Sequence, residues 1–467
     1  MFLTKKFLAF CLGISLGSSL FSQTPSKPFG SNLSYANGIM QNYQTPAQAS
    51  ALTQTWYTYW KTNFTKSCGQ GKTLAVNDYN GSNAYSEGQG YGLLIAAYMG
   101  DKTLFDELWK GFKDNRNSDG VMHWTVSCGG VVAQNGATDG DLDAAMGLLV
   151  ANKQWPNTTA PHNYSSDATA LITAIKDHEF TTCNGATVQK PGDKFGGCDC
   201  TNPSYYAVGY YRAFGKHVTS QASFWDKAAS DGLALLLKAT NPSTGLNPAW
   251  TDQSGSITSG GNCNVVAGGG GSKTDYQFDA SRTPWRIVVD YLWWGTPDSK
   301  KYLDKIEEWA NGKGISNIVA GFTTSGSNIA NYKNSAFTGA FAIGAMATNQ
   351  TQVNGFYNWW VNNSTTEGNV GSRLDDKPYF QNTLRVMYAL VASGNFWNPY
   401  SSGSGTVTPP PASVVTISLS NPANNSSFVL GSPVNIEASA SSTQGATIVD
   451  VEFIVDGVTA FSDKTAP

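Results

Sequence analysis

Three short stretches place carboxylic acids beside glycine, aromatic or guanidinium residues in ways that suit proton transfer. In the first, Tyr85-Ser86-Glu87-Gly88-Gln89-Gly90-Tyr91-Gly92, Glu87 sits where a loop meets the apolar run Leu93-Leu94-Ile95-Ala96-Ala97. A carboxyl buried at an apolar helix start is driven toward its protonated form, as a general acid requires, and flanking glycines let backbone or ligand come close. The plainer reading is a first-turn acid complementing the helix dipole, which for an arbitrary glutamate is the better one. No strand pattern precedes the glycines at 88, 90 and 92, and their spacing falls short of a dinucleotide-binding loop, so that chemistry is set aside.

The second stretch, Ala137-Thr138-Asp139-Gly140-Asp141-Leu142-Asp143, has three acids at alternate positions ahead of a helical pattern running to Trp155. It fails as a calcium loop because Ala144 stands where the sharp-turn glycine belongs and no bidentate glutamate follows. Thr138 or Asp139 as N-cap, and Asp141 or Asp143 as first-turn acids, account for one or two of the three. The third stretch, Tyr276 to Arg286, sets Asp279, Arg282, Arg286 and rings within about ten residues. Such a set can bind a sugar and hold a water; an Asp–Arg ion pair beside a core tryptophan is the ordinary alternative. Together Glu87 and Asp279 supply the two carboxyls of glycosidic cleavage, one protonating the leaving oxygen while the other activates water or attacks carbon.

Positioning these groups is work for helices. From 32 to about 398 apolar residues recur at helical spacing, as in Leu104, Phe105, Leu108, Trp109, Phe112 and in Trp225, Ala229, Leu233, Leu236, with no strand–helix alternation. Polar connections such as 115–138 and 241–274 are far longer than the usual ~4–6 residues, and long loops on a helical scaffold carry function. The spacing predicts ten to twelve helices in one large domain, for which a closed ring of helical hairpins buries every amphipathic face. After Trp397 the segment SSGSGTVTPPPAS at 401–413 is linker-like. Beyond it the period becomes two (Val434, Ile436, Ala438, Ala440; Val449, Val451, Phe453, Val455), with Asp456-Gly457 as a hairpin signal. That is the start of a β-sandwich, and some 55 residues are too few to complete one of about 100, so the module is expected to be cut short.

The chain of 467 residues carries 30 Lys+Arg against 33 Asp+Glu, which excludes a basic nucleic-acid binder. Its 14 Trp, 21 Tyr, 22 Phe and 49 Gly beside 13% charged residues suit a secreted protein meeting neutral, hydroxyl-rich ligands. Lys5-Lys6, an apolar run from Phe7 to about Leu20 and a polar exit form a secretory signal with cleavage near Ser22. The run is too short to span a bilayer, so no membrane insertion is expected. Loss of Cys11 leaves Cys68, Cys128, Cys183, Cys198, Cys200 and Cys263. In an oxidising compartment these allow up to three disulfides among fifteen connectivities, and scattered histidines argue against zinc.

SEGQGYG, GVMHWTV (120–126), ATDGDLDAAMGLLVANKQW (137–155), KPGDKFGGCDCTNPSYYA (190–207) and FDASRTPWRIVVDY (278–291) occur in the order found in family 8 glycoside hydrolases, the bacterial endoglucanases of cellulase family D. The resemblance covers about 30–398 and implies an (α/α)6 barrel with a groove across one end and an inverting mechanism without metal or cofactor. Position by position it implies Glu87 as general acid, Asp279 as base and Asp139 as the carboxylate that binds and distorts the sugar. It implies Tyr205 as partner of Asp279 in holding water, Arg282 as the neighbouring arginine, and Trp124, Phe195 and Tyr379 as rings that stack on sugars. Phe195 departs from a more usual Trp, Phe278 from a usual Tyr and Ala144 from Ile or Met; none of these touches the proton chemistry. The expected organisation is a signal peptide (1–22), a catalytic domain (23–398), a linker (399–413) and an Ig-like β-sandwich module (414–467). The expected activity is that of a secreted, monomeric endo-β-1,4-glucanase acting on cellulose-type β-glucan, with xylanase, lichenase and chitosanase as alternatives within the family. From other classes come a polysaccharide lyase, which would need a uronate-neutralising group, and a non-catalytic polysaccharide-binding protein.

Overall fold

Among the described residues, twelve α-helices form where the apolar residues recur: α1 (Pro46–Phe64), α2 (Ser86–Met99), α3 (Lys102–Asp114), α4 (Thr138–Gln154), α5 (Tyr164–His178), α6 (Val208–His217), α7 (Ala222–Ala239), α8 (Thr283–Trp294), α9 (Pro297–Lys313), α10 (Ser335–Gly344), α11 (Gln350–Asn363) and α12 (Tyr379–Ala392). The computed structural model describes residues 24–76, 82–156, 158, 161–256, 272–364 and 379–401, and 415–423, 426–429, 432–442, 451–455 and 458–463 of the C-terminal segment. The larger of two compact units is Gln23–Thr406. The signal segment, most of the linker and the Asp456-Gly457 turn lie outside the described residues.

Burial sorts the helices into two rings. In α2 every residue but Glu87 is buried, and in α10 every residue is. By contrast α3 buries one stripe, Leu104, Phe105, Leu108, Trp109, Gly111 and Phe112. The even-numbered helices pack side by side in the order α2, α4, α6, α8, α10, α12 and back to α2, while α3, α5, α7, α9, α11 and α1 pack outside α2, α4, α6, α8, α10 and α12 in turn. This closed double ring is the (α/α)6 barrel, and it follows from pattern: helices apolar all round belong inside, amphipathic ones outside.

Short hairpins decorate the connections. β1 (Thr65–Gly69) pairs with β2 (Lys72–Ala75), β4 (His123–Ser127) joins β3 (Ala84–Tyr85) to β5 (Gly130–Gly136), and β6 (Phe180–Cys183) pairs with β7 (Ala186–Gln189). The reading that no strand precedes the glycine-rich stretch is thus corrected. β3 is two residues long and pairs Ala84 with Val126 and Tyr85 with Thr125, so it has no periodicity of its own to read. Disulfides Cys68–Cys128 and Cys183–Cys198 tie these hairpins down. The first spans a sequence separation of 60, which is worth about 4 kcal/mol in the chain-entropy account. Cys200 is also disulfide-bonded; Cys263 lies outside the described residues.

In the C-terminal unit β8 (Val415–Asn421) pairs antiparallel with β9 (Glu437–Ser442), and β10 (Val451–Val455) with β11 (Val458–Asp463). Ile436, Ala438 and Ala440 are half-buried while Asn435, Glu437 and Ser439 are exposed, as the period of two requires. Val434 is itself exposed and precedes the strand.

Candidate active site

The N-terminal ends of the inner helices converge on one set of side chains. Glu87 is the second residue of α2 and Asp139 the second of α4; Tyr205 closes a 3-10 turn (Pro203–Tyr205) ahead of α6; Asp279 stands immediately before a 3-10 turn (Ala280–Arg282) that runs into α8; Tyr379 opens α12. The expected N-caps are corrected here. Ala137 holds the N-cap of α4 without a side-chain bond, because Thr138 Oγ1 donates instead to the Lys190 carbonyl and Asp139 turns to an arginine. Glycine sets how closely α2 and α4 approach. A Cβ at Gly90 would lie 2.3 Å from the Gly140 carbonyl oxygen, and one at Gly140 2.4 Å from the Ser86 carbonyl, so any larger residue drives the two helix starts apart.

Arg282, 1% exposed, is the hub. Its Nη1 donates to Glu87 Oε2 and, at 2.8 Å, to Asp139 Oδ2; its Nη2 donates to Ser204 Oγ at 3.1 Å and reaches Asp279 Oδ1 at 3.4 Å. The Tyr205 ring lies 5.0 Å from the guanidinium carbon. Tyr379, expected as a sugar-stacking ring, donates its hydroxyl to Glu87 Oε1 at 2.7 Å. Asp279 Oδ2 accepts from Gln277 Nε2 at 3.0 Å and Trp250 Nε1 at 3.3 Å. Six of the eight residues singled out in the sequence therefore meet around one guanidinium.

Burial pushes the Glu87 carboxyl up to about 7, against Arg282 and the Tyr379 hydroxyl, which favour its anion, and with Asp139 and Asp279, which oppose it. Asp139 is raised by burial too, with Arg282 and Arg286 pulling the other way. Three acids around one permanent cation thus favour a proton on Glu87 in the neutral range.

Rings approach this cluster by two routes. Trp124, 45% exposed on β4, stacks on Tyr85 at 5.8 Å and 17°, and Tyr85 meets Tyr379 edge-on at 5.9 Å. Phe195 meets Trp250 edge-on at 6.2 Å, and Trp250 lies 6.3 Å from Tyr205. Trp124 and Phe195 reach the carboxylates only through these intermediaries. Tyr85, Ser204, Trp250 and Gln277 were not predicted as site residues. Tyr85 and Gln277 are each two residues from a catalytic candidate, Glu87 and Asp279, Ser204 adjoins Tyr205, and Trp250 sits in a long connection with no local signal.

The model of glycosyl hydrolases family 8 matches residues 28–394. The chain belongs to this family. A bacterial Ig domain model matches 416–467. This family 8 enzyme is 34% identical to Endoglucanase 2 of Ruminiclostridium josui over 85% of its own length and 82% of that protein. It is 31% identical to Endoglucanase A of Acetivibrio thermocellus over 81% and 76% of the two chains. Among solved structures it superposes on the β-1,3-1,4-glucanase from Paenibacillus sp. X4 with a TM-score of 0.70, 25% identity and coverage of 80% and 99%. As a family 8 hydrolase, the chain has a double ring that sets paired carboxyls at one end of a barrel, where a polysaccharide can reach them.

Proposed function

We propose that this hydrolase is a secreted endo-β-1,4-glucanase that cuts internal bonds of cellulose-type β-glucan with inversion, Glu87 acting as acid and Asp279 as base. The observation that carries the reading is the Glu87–Arg282–Asp279 unit, in which burial keeps one carboxyl protonated up to about 7 and the other reaches the second nitrogen of the same guanidinium. Glu87 gives its proton to the glycosidic oxygen as the bond to the anomeric carbon breaks. A water attacks that carbon from the opposite face and its proton passes to Asp279; after product leaves, Asp279 releases that proton to solvent and Glu87 takes one up, which restores both groups. Arg282 stays charged throughout and keeps the carboxyls from repelling one another apart.

In this reading Asp139 Oδ2, fixed by Arg282, grips a hydroxyl of the distorted sugar, and the Tyr205 phenol helps seat the water. Trp124 and Phe195 supply rings for flanking sugars, and Tyr379 lines the same groove while holding Glu87. Residues 1–22 act as signal peptide, 23–398 as the catalytic domain of a monomer, 399–413 as linker and 414–467 as an Ig-like spacer. The names of the endoglucanase relatives support cellulose-type substrate; the β-1,3-1,4-glucanase likeness supports mixed-linkage glucan as a second reading. Reducing-end release on carboxymethylcellulose, mixed-linkage β-glucan, xylan and chitosan, with Glu87→Gln as blank, tests both. Release from the cellulose derivative that vanishes in the variant upholds the first; activity confined to another polymer keeps the mechanism and changes the substrate; silence on all four, from folded protein, overturns the enzyme reading in favour of binding alone.

A further inference from the structure

A general base needs one oxygen free for water and the other held still. In Asp279 the two oxygens have unequal surroundings. Oδ2 takes two neutral N–H donors, Gln277 Nε2 at 3.0 Å and Trp250 Nε1 at 3.3 Å, whereas among the described residues Oδ1 meets only the long contact to Arg282 Nη2 at 3.4 Å. Gln277 is 1% exposed and grips Asp279 at a second point, since its Oε1 accepts the Asp279 backbone N–H at 2.9 Å. That second bond fixes the carboxamide's orientation, because only its oxygen can accept from an amide, which turns its NH2 to the carboxylate. The glutamine is itself anchored: the neighbouring Tyr276 exchanges backbone bonds with Phe322 at 2.9 Å, and the Gln277 carbonyl accepts from Ser281 N at 2.9 Å.

We infer that Gln277 is the positioning residue that fixes the Asp279 carboxylate and presents Oδ1, not Oδ2, as the oxygen that takes the proton from water, with the Trp250 indole as its lesser partner. The inference rests on the assignment of Asp279 as base. Gln277 touches neither sugar nor water; it acts through Asp279 by restricting rotation about the Cβ–Cγ bond, so that the lone pairs of Oδ1 stay on the attack line.

The experiment is a double-mutant cycle on the full chain, with an aryl β-cello-oligosaccharide as substrate and melting temperature as the check on folding. Gln277→Leu is expected to lower kcat by about 10- to 100-fold with KM within about twofold, the scale of a misplaced catalytic group. In an Asp279→Asn background the same change is expected to cost nothing further, because its only route to the reaction is gone. Trp250→Phe should give a smaller loss of the same kind. Equal losses in both backgrounds mark a structural role and overturn the inference, as does a kcat for Gln277→Leu within about threefold of the parent. Should Gln277→Leu not fold, Gln277→Glu keeps the acceptor for the Asp279 amide but sets an oxygen against Oδ2, and the same kcat loss without a change in KM is expected. The cycle is read on the residual turnover of Asp279→Asn; a kcat for Asp279→Asn within about tenfold of the parent removes the base assignment itself, an outcome separate from failure of Gln277 alone.

Discussion

Asp143 and Arg286 repeat, one helical turn lower, the pairing of Asp139 with Arg282. Arg286 Nη1 and Nη2 each donate to an Asp143 oxygen at 2.6 Å, in a two-pronged ion pair closed to solvent. Both pairs link α4 to the α8 end of the barrel, and these helices are not neighbours in the inner ring, so the arginines span its interior. The upper pair faces the candidate site; in the lower, both Nη atoms of Arg286 are held by Asp143 while its buried Nε has no hydrogen-bond partner among the described residues, and the pair sits beneath the site as a brace.

Removing one partner of the lower pair should therefore be costly. Asp143→Ala leaves a buried guanidinium without its counter-ion and is expected to destabilise the catalytic unit by about 3–5 kcal/mol in chemical denaturation. Truncating Asp114, whose pair with Lys110 is exposed at 2.8 Å on α3, should cost less than about 1 kcal/mol. Comparable losses at the two sites would refute the bracing role.

The pH profile should fall on its alkaline side near 7. Glu87 must be protonated to act, and burial raises its carboxyl to about 7, so kcat/KM is expected to decline as pH rises through that value. Glu87→Gln should lower kcat by about 10²–10⁴ and abolish that limb. Because the unfolded acid ionises near 4.5 while the folded one keeps its proton up to about 7, the folded state loses stability across that range. The amide variant should hence melt higher than the parent above pH 7; a lower melting point there would contradict the assigned protonation.

Gly140→Ala probes the contact of α2 with α4. The new methyl would lie 2.4 Å from the Ser86 carbonyl, so the helix starts must separate. The expected cost is about 1–3 kcal/mol of stability, together with a loss of kcat larger than the Tm change explains, since Glu87 and Asp139 share one guanidinium nitrogen. Unaltered kinetics would show that the approach of the helices does not set the carboxyl geometry.

A second buried acid pair should govern stability at higher pH. Asp141, which accepts the Met122 backbone amide at 2.9 Å, faces Glu179. Burial raises both carboxyls well above the carboxylate range, and the nearness of Asp141 raises Glu179 further, which favours the proton there. Both acids ionise near 4 when unfolded, so folding holds a proton that the unfolded chain has lost, and stability should fall as pH climbs above that range. Glu179→Gln replaces the protonated acid by a permanent donor and should flatten the fall of Tm as pH rises above the ordinary carboxylate range. An equally steep fall in the variant would rule out this pair as its source.

Some of this was legible along the chain and some was not. Helical spacing marked out the helices, and glycines beside Glu87 signalled close approach, because periodicity and backbone freedom are local properties. Alternation after Trp397 likewise announced strands. The N-cap of α4 was misjudged since Thr138 and Asp139 find partners outside their own turn, at Lys190 and Arg282. β3 was invisible because its strand character comes wholly from the chain it pairs with. By itself the sequence determined that the catalytic region is helical, where the acids sit on helix starts, and, through ordered motifs, the family; which helices are buried all round came from the structure. Only the tertiary structure decided that Arg282 meets Glu87 across 195 residues, that Tyr379 bonds the acid, and that Trp250 and Gln277 grip Asp279. Ring closure sets those distances, and burial, a property of the closed ring and not of any segment, sets which carboxyl keeps its proton.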